Sequence, residues 1–428
     1  MVDVVVVGGG FAGVTAAREA ALAGRSVLLL EGRDRLGGRT WTAPWNGHDI
    51  EYGGGWVHWH QPHTFSEITR AGLTVELSDN PNQTAWYVGD DRRTGTIAER
   101  DAIANDGWLR FVDGVEQSLP NPHDPTLAID RLAAMDALTI ADRIEQLGLD
   151  DEHHDVLWAE LESLAHGPLD DAGAVSVLRW HALSGYSLAL TQYTGGRVTL
   201  TTGTRGLLEA IAAQAQFEIR LATPVAAVRR RGDRVEVETR AGELVQARWA
   251  VVAVPLNTLS AIEFEPALSE GKREGIALGQ ASRGIKIFIH AEGDAVSQNA
   301  IRPSHPFGYL DTEYQEPDGT QVMIGFGYDA AICNAMDLPG VQSSLEEIMP
   351  GYRALAATAH DWLADEFSQG TWAIHRPGWY TQCYHEMRRP EGPVLLAGSD
   401  LAAGWAGFID GAIESGLTAG RWLRGQGR

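Results

Sequence analysis

Hydrophobic residues near the start of the chain form short runs separated by a glycine-rich turn and a helical stretch. Val4 to Val7 make a continuous β-branched run, which is typical of a strand buried on both faces of a parallel sheet. A helix is predicted from about Val14 to Ala23, and a second strand from Ser26 to Leu30. This order of strand, helix and strand indicates an α/β unit.

The pattern then changes between helical and strand periods several times. Between Thr126 and Leu183 the apolar residues recur at helical steps, whereas Pro81 to about Trp108 is interpreted as strands and loops. A hairpin is predicted around Gly232. Further strands are predicted at 250–255, 284–290 and 394–397, and further helices at 64–71 and 409–422.

Three glycines and one acid in the first unit have the spacing of a dinucleotide-binding turn. Gly8 allows a tight turn, Gly10 lets backbone N–H groups approach a pyrophosphate, and Gly13 lets the helix pack closely on the strand. Glu31 ends the second strand, where it can accept hydrogen bonds from ribose hydroxyls. These residues predict a bound dinucleotide and leave NAD and FAD both open.

Two more glycine clusters follow the acid, at Gly37-Gly38-Arg39 and Gly53-Gly54-Gly55-Trp56. They are more than a nicotinamide cofactor needs and favour a longer ligand that lies along main chain. With these motifs the sequence resembles the FAD-dependent amine oxidase superfamily over essentially its whole length, and bacterial 6-hydroxynicotine oxidases in particular. The resemblance implies a cofactor site made of Gly8, Gly10, Phe11, Ala12, Gly13, Glu31, Gly38, Arg39, Gly54, Gly55, Trp56, Val225, Asp400 and Ile409.

The resemblance also implies the architecture, which is an α/β fold of the monoamine oxidase type. A Rossmann-like FAD-binding domain is expected to carry an inserted α+β substrate domain. The FAD-binding domain is expected to take residues 1–75, 196–265 and 385–428. The substrate domain is expected to take residues 76–195 and 266–384.

A lysine within an apolar run is the first candidate for chemistry. Lys286 lies in the strand predicted at 284–290, where a buried ammonium group is unfavourable without a partner. A lysine on an edge strand that reaches solvent is the alternative interpretation. By the resemblance, Lys286 holds a water beside the reactive flavin nitrogen, and a pKa lowered by burial would suit proton transfer.

The resemblance implies that two aromatic rings, Trp372 and Phe408, flank the amine in front of the flavin. Ser163 and Tyr309 are expected near the substrate. Thr371 stands where mitochondrial monoamine oxidases have the cysteine that links to FAD, so non-covalent FAD is predicted.

Composition and net charge limit the classes of molecule that the protein is expected to bind. A net charge of −23 and a pI near 4.9 argue against nucleic acid and against an anionic membrane surface. Only two cysteines occur, which implies no disulfide framework and favours a reducing compartment. Because the glycine turn begins at Gly8 and no long apolar run is present, we expect no signal peptide, no membrane span and a cytoplasmic location.

A metal site is the less favoured interpretation of the histidines at His58, His60 and His63, because no carboxylate or thiol nearby completes a ligand set. We expect no metal and prefer a loop packed near the flavin. The sequence does not determine the oligomeric state, and a homodimer is one candidate assembly.

The resemblance implies oxidation of a small-molecule amine to an imine, with molecular oxygen as acceptor and hydrogen peroxide as product. An L-amino acid oxidase, a dehydrogenase with another acceptor, a carotenoid-type desaturase and a flavin-binding regulator without turnover remain as alternatives. An amine is favoured over an amino acid because no arginine is evidently placed to bind a carboxylate, although Arg179, Arg283 or Arg302 could reach the pocket.

Overall fold

A computed structural model of the protein describes residues 1–78, 81–194, 196, 198–294 and 296–426. Within these residues the strands are β1 Val2–Val7, β2 Val27–Leu30, β3 Thr42–Trp45, β4 His48–Glu51, β5 Val75–Leu77, β6 Gln83–Val88, β7 Asp91–Thr96, β8 Val198–Leu200, β9 Glu218–Arg220, β10 Val225–Arg231, β11 Arg234–Thr239, β12 Leu244–Val252, β13 Glu263–Glu265, β14 Ile285–Glu292, β15 Gln298–Ile301, β16 Tyr309–Gln315, β17 Gln321–Gly327, β18 Arg353–Ala359 and β19 Val394–Leu396.

The described residues also form α-helices. They are α1 Phe11–Leu22, α2 Pro62–Ala71, α3 Ile97–Phe111, α4 Val115–Ser118, α5 Ile129–Asp136, α6 Ile140–Glu145, α7 Asp151–Ala165, α8 Ala174–Leu183, α9 Leu188–Thr194, α10 Gly203–Ala212, α11 Glu270–Leu278, α12 Leu338–Ile348, α13 Trp379–Gln382, α14 Tyr384–Arg388 and α15 Ile409–Gly425.

The first large sheet has eight strands in the order β13, β10, β11, β12, β1, β2 and β9, with β19 paired to β12. The pairs of β1 with β12, of β1 with β2, and of β2 with the edge strand β9 are parallel. Successive residues of β1 enter different cores: Val4 and Val6 pack in the cluster that contains α1 and α15, and Val5 packs in the cluster on the opposite face. Burial on both faces explains the unbroken valine run.

The second large sheet has seven strands in the order β18, β14, β17, β16, β15, β6 and β7. Ile285, Ile287 and Ile289 of β14 pack on the side that α12 covers, whereas Phe288 belongs to the cluster on the other side. Lys286 shares the face of Phe288, because side chains two residues apart on a strand point the same way. β14 is an inner strand between β17 and β18, so the edge-strand alternative for Lys286 is wrong.

The strands of the first sheet all fall in the three segments predicted for the FAD-binding domain, and those of the second sheet all fall in the two predicted for the substrate domain. The domain boundaries themselves stay a prediction.

One predicted region folds differently. Residues 97–108 were expected as strands and loops, but they belong to α3. The Thr96 side chain accepts a hydrogen bond from the Glu99 N–H while the Glu99 carboxylate accepts one from the Thr96 N–H, which is a capping box. Ala104, Trp108 and Phe111 then repeat at helical spacing on the buried face. The cap and this spacing were the overlooked signals.

None of the helices in the described part of the chain is long and apolar enough to cross a lipid bilayer.

Candidate active site

A cavity of about 1060 Å³ is lined by residues of both large sheets and of α1, α3, α7, α8 and α15. Its volume lies just above the range that most small-molecule sites occupy, about 300–1,000 Å³. Of the predicted site residues, the cavity wall contains Gly8, Gly10, Phe11, Ala12, Glu31, Gly38, Arg39, Gly54, Gly55, Trp56, Ser163, Val225, Lys286, Tyr309, Trp372, Phe408 and Ile409.

The first glycine turn joins β1 to α1 at one end of this cavity. Gly8 has a φ of +104°, and a Cβ there would lie 2.6 Å from the carbonyl oxygen of Ala253. Gly13 lies outside the cavity wall, where a Cβ would come within 1.9 Å of the Gly8 carbonyl oxygen. Gly13 therefore brings helix and strand together, while Gly8 and Gly10 form the surface at the N-terminus of α1.

Glu31 lies across this turn. Its Oε2 accepts a hydrogen bond from the Gly9 N–H at 2.5 Å, and its Oε1 accepts one from the Arg33 N–H at 2.8 Å. The Glu31 carbonyl accepts a bond from the Thr223 N–H at 2.8 Å, which brings the start of β10 with Val225 to the same end of the cavity. One buried acid thus ties together the three chain segments of this end.

Arg39 is anchored to the C-terminal part of the chain. Its guanidinium donates to the Thr371 carbonyl at 2.7 Å and to the Ser399 hydroxyl at 2.8 Å, and it forms an ion pair with Asp400. The other oxygen of Asp400 accepts from the Leu256 N–H at 2.9 Å.

Asp400 lies behind Arg39 and is not part of the cavity wall. Both of its oxygens accept hydrogen bonds within the protein, and its ion pair orients Arg39. That Asp400 bonds to the cofactor stays a prediction. Although burial opposes ionisation, the neighbouring Arg39 holds the pKa of Asp400 below its ordinary value.

Lys286 contacts the third glycine cluster, Gly53-Gly54-Gly55-Trp56. Lys286 is 4% exposed, and its ammonium group donates to the Gly53 carbonyl at 3.1 Å and lies 4.4 Å from the centre of the Trp56 ring. Burial lowers the pKa of Lys286 to about 8, although the charges of Glu313 and Glu51 act in the opposite direction.

Two aromatic side chains from the C-terminal third line the cavity. The Trp372 indole N–H donates to the Leu164 carbonyl at 2.9 Å. Phe408 caps the N-terminus of α15 and packs edge-on against Trp180 and Trp405, with ring centres 5.1 and 5.3 Å away. Both rings are held by contacts with their neighbours, so the walls that they form are preorganised.

Sequence reasoning missed His166, which lines the cavity beside Trp372 and supports its ring. The His166 ring stacks on the Trp372 indole with centres 4.3 Å apart and 5° between the planes. Its Nδ1 forms a hydrogen bond of 2.9 Å with the Thr371 hydroxyl, and burial lowers its pKa to about 4. His166 is the left-handed residue that ends α7, and no local motif pointed to it.

The second sheet forms a floor on the substrate side. Lys286 pairs with Phe326, and Phe326 pairs with Tyr309 on the next strand. Two residues along, Asp311 stands between Ile324 and Asn299. Phe326 was the second residue missed, because its place beside Lys286 depends on strand pairing that the sequence does not display.

Three features of the cavity bear on whether it could hold FAD, the cofactor that the resemblance implies. The cavity wall includes backbone of three glycine clusters, and two helices of 12 and 17 residues begin on it. The Trp56 indole N–H is buried there without a hydrogen-bond partner among the described residues, so a donor is left for a ligand. The residues present therefore fit FAD.

Neither Cys333 nor Cys383 lines the cavity, and both are buried as free thiols elsewhere. Thr371 does line it. No cysteine is thus placed to link a flavin, in agreement with non-covalent FAD.

The histidines of the 58–63 segment form no metal centre in the part of the chain that the structure describes, where no three metal-ligating side chains are grouped for an ion. Burial lowers the pKa of His58 to about 4, and its ring packs on His60.

Comparison with known proteins agrees with this geometry. The family model described as flavin containing amine oxidoreductase matches residues 11–421. The chain is 36% identical to pseudooxynicotine dehydrogenase of Pseudomonas sp, covering 98% of this chain and 85% of the relative. It is 29% identical to (S)-6-hydroxynicotine oxidase of Paenarthrobacter nicotinovorans, covering 97% of each. Among solved structures, wild-type putrescine oxidase bound to putrescine matches with a TM-score of 0.84 at 21% identity, covering 99% of each chain.

Proposed function

Because the chain belongs to the flavin-containing amine oxidoreductase family, we propose that it oxidises a C–N bond of a small-molecule amine to an imine, with molecular oxygen as acceptor. Hydrolysis of the imine would give an aldehyde or ketone and an amine or ammonia. The observation that carries the proposal is the meeting of Lys286, Trp372 and Phe408 in the cavity that the glycine turns line.

FAD, when bound, supplies an acceptor for a hydride equivalent from the α-carbon of the amine. Trp372 and Phe408 bind the apolar part of the neutral amine, exclude water and orient its α C–H bond. The N-terminus of α15 at Ile409 contributes a positive dipole that stabilises negative charge developing in the site.

Lys286 is proposed to hold a water and exchange a proton at Nζ. Since burial lowers its pKa to about 8, a useful fraction of both protonation states is present near neutral pH. Its Nζ lies 4.4 Å from the centre of the Trp56 ring and 5.9 Å from that of the Phe326 ring, so the proton-exchanging atom stays in a largely apolar environment.

An amino acid substrate is less well supported. Arg179, Arg283 and Arg302, the three arginines considered as carboxylate ligands, all lie outside the cavity wall. Arg283 is paired with Asp329, and Arg302 with Asp90.

A dehydrogenase that passes electrons to another acceptor is the second candidate. It is favoured by the relative at 36% identity, which is named a dehydrogenase, whereas the relative at 29% identity is named an oxidase. In either case we propose a cytoplasmic enzyme, in keeping with two free buried cysteines.

The test is anaerobic. Purified yellow protein is mixed with a panel of amines, alkaloids and amino acids, and the flavin absorbance is followed. We expect amines to bleach it, and air to restore the colour within seconds with release of peroxide. Restoration only by an added dye or electron carrier would replace the oxidase by the dehydrogenase, and bleaching by amino acids alone would reject the amine proposal.

A further inference from the structure

The helix α15 begins on the cavity wall and carries an acid in its first turn, Asp410. Phe408, Ile409 and Ala412 line the cavity, whereas Asp410 is not among the lining residues. Asp410 is 1% exposed, and its Oδ1 accepts a hydrogen bond of 2.8 Å from the Thr64 N–H in the first turn of α2. A buried carboxylate thus belongs to the helix turn that forms part of the wall, but lies outside the wall itself.

Part of the role of Asp410 is structural. Gln61 precedes α2 and gives it no side-chain cap, so the Asp410 carboxylate supplies the acceptor that an N–H group of the first turn needs. This role requires an acceptor oxygen and no charge. The second oxygen, Oδ2, is buried and has no hydrogen-bond partner among the described residues, so a negative charge here is only partly compensated.

The charge of Asp410 acts on the same helix end that borders the cavity. The N-terminus of a helix carries roughly +0.5 of an elementary charge, whereas an ionised carboxylate carries a full negative charge. Ionised Asp410 therefore offsets the positive end of α15, and protonated Asp410 leaves it in place. The field that α15 directs into the cavity thus depends on one buried proton.

FAD, the cofactor that the cavity fits, gains negative charge when it is reduced, and a positive helix end favours that form. We infer that Asp410, acting through α15 without touching the cofactor, sets the reduction potential of the bound FAD. The ionised carboxylate lowers the potential, and the protonated one raises it. Because such coupling is reciprocal, Asp410 takes up a proton from solvent when the cofactor is reduced.

Burial raises the pKa of Asp410 to about 7, with the Thr64 N–H opposing the shift and Glu414 adding to it, so both charge states are accessible near neutral pH. The charged or titratable groups on the elements packed around this turn are Glu414 and Arg421 of α15, His63 and Glu67 of α2, Arg18 and Glu19 of α1, His123, and Asp400. Glu67 and Asp400 are paired with arginines, and burial lowers the pKa of His63. Glu414, one turn along the same helix, is therefore the suitable comparison.

The test measures the midpoint potential of the FAD-loaded protein without any amine, by anaerobic titration against reference dyes. D410N removes the charge but keeps an amide oxygen for the Thr64 N–H. At about pH 9 we expect D410N to favour reduced FAD about tenfold more than the wild type does, the order of effect of a partly buried charge at a helix end. For a two-electron couple this is about 30 mV. At about pH 6, where Asp410 is protonated, the two potentials should coincide.

E414Q is the matched control. It removes a carboxylate one turn further along α15, and its amide oxygen can still accept from the Gly404 N–H, which bonds to Glu414 at 2.7 Å. Its shift at about pH 9 should stay below about threefold, because the effect of a charge on a helix end falls off within the first turn. FAD content and thermal melts verify that each variant is folded. Equal potentials of D410N and the wild type at this pH, or a shift in E414Q as large as in D410N, overturn the inference and leave Asp410 as a cap only.

The wild type gives a second measurement that needs no variant at Asp410. At pH 7 its reduced-minus-oxidised infrared spectrum should gain a protonated-carboxyl band, which E414Q keeps and D410N loses. Absence of this gain in the wild type overturns the inference even if D410N does not fold. The proposed amine oxidation is judged separately, since neither measurement uses an amine.

Discussion

At one end of the cavity the wall consists largely of backbone from glycine turns in the first 55 residues, whereas at the other it consists of side chains spread over residues 97–408. The glycine end needs a close approach of backbone to the cofactor, and it is determined by the spacing of residues that are near one another in the sequence. The side-chain end needs particular groups at particular distances and is specified by strand pairing. The difference implies that substitutions at the first end alter folding and cofactor retention, and those at the second alter chemistry and choice of substrate.

The largest effect is expected from a pair of glycines in the first turn. A methyl group at Gly13 would meet the Gly8 carbonyl at 1.9 Å, whereas at Gly10 its nearest neighbour would be the Gly38 Cα, at 3.8 Å. G13A should therefore destabilise even the FAD-free protein by about 3 kcal/mol or more. G10A should leave the FAD-free protein as stable as the wild type and weaken FAD binding at least about tenfold, because the methyl occupies phosphate space.

Thermal unfolding of the FAD-free variants and titration with FAD separate these outcomes. If G13A and G10A lost the same stability, both glycines would serve only the packing of the turn. The contrast between the two ends of the cavity would then not hold.

K286M removes the ammonium group from the floor while keeping an apolar side chain of similar length. We expect turnover with the best amine to fall by about 10²-fold or more, since proton exchange at this atom is lost. FAD content should stay the same, because the Lys286 hydrogen bond goes to the Gly53 carbonyl of the third glycine cluster and not to the turn that joins β1 to α1. Rapid mixing with amine measures the rate; unchanged turnover would contradict the proposed role.

The same variant has an opposite effect on stability. The pKa of Lys286 is lowered from 10.5 to about 8 in the folded protein, so between these pH values the unfolded chain binds more protons and stability rises with pH. Below pH 8 the wild type bears the full unfavourable effect of the buried charge. FAD-free K286M should thus be more stable at pH 7 by about 2–3 kcal/mol. Denaturant melts at several pH values should show the gap closing towards pH 10.5.

The contrast between the ends also explains what could be predicted. Gly8 to Glu31 lie in one contiguous unit, so their spacing was enough to predict the turn, the helix and the acid. Lys286 was found because a charge interrupts an apolar run. Phe326 and His166 carry no such mark, since their positions depend on which strands pair and where α7 ends. The ion pair of Asp400 with Arg39 could not be predicted either, because these residues lie far apart in the sequence and no local motif links them.

R39K should have a moderate effect. Lysine keeps the charge but cannot bond at once to the Thr371 carbonyl, the Ser399 hydroxyl and Asp400. We expect FAD affinity to fall about tenfold, as for the loss of one charged hydrogen bond. D400N should reproduce most of this loss, because it releases Arg39, and flavin fluorescence on titration measures both. An effect of D400N much larger than that of R39K would indicate that Asp400 contacts FAD directly after all.

The smallest effect is expected at the outer rim of the glycine end. Arg240 and Glu366 form an ion pair of 2.6 Å beside the Phe367 ring, with side chains 41% and 59% exposed. Exposed pairs contribute about 0–1 kcal/mol, so E366Q should weaken FAD binding by less than about fivefold. The change should vanish at high salt, which screens such charges. D365N is the matched comparison, since Asp365 is more buried and bonds to both Arg33 and His360. If E366Q lowered the affinity for FAD as much as D365N does, the residues of the rim would act together on the cofactor. Side chains as well as backbone would then retain FAD at this end.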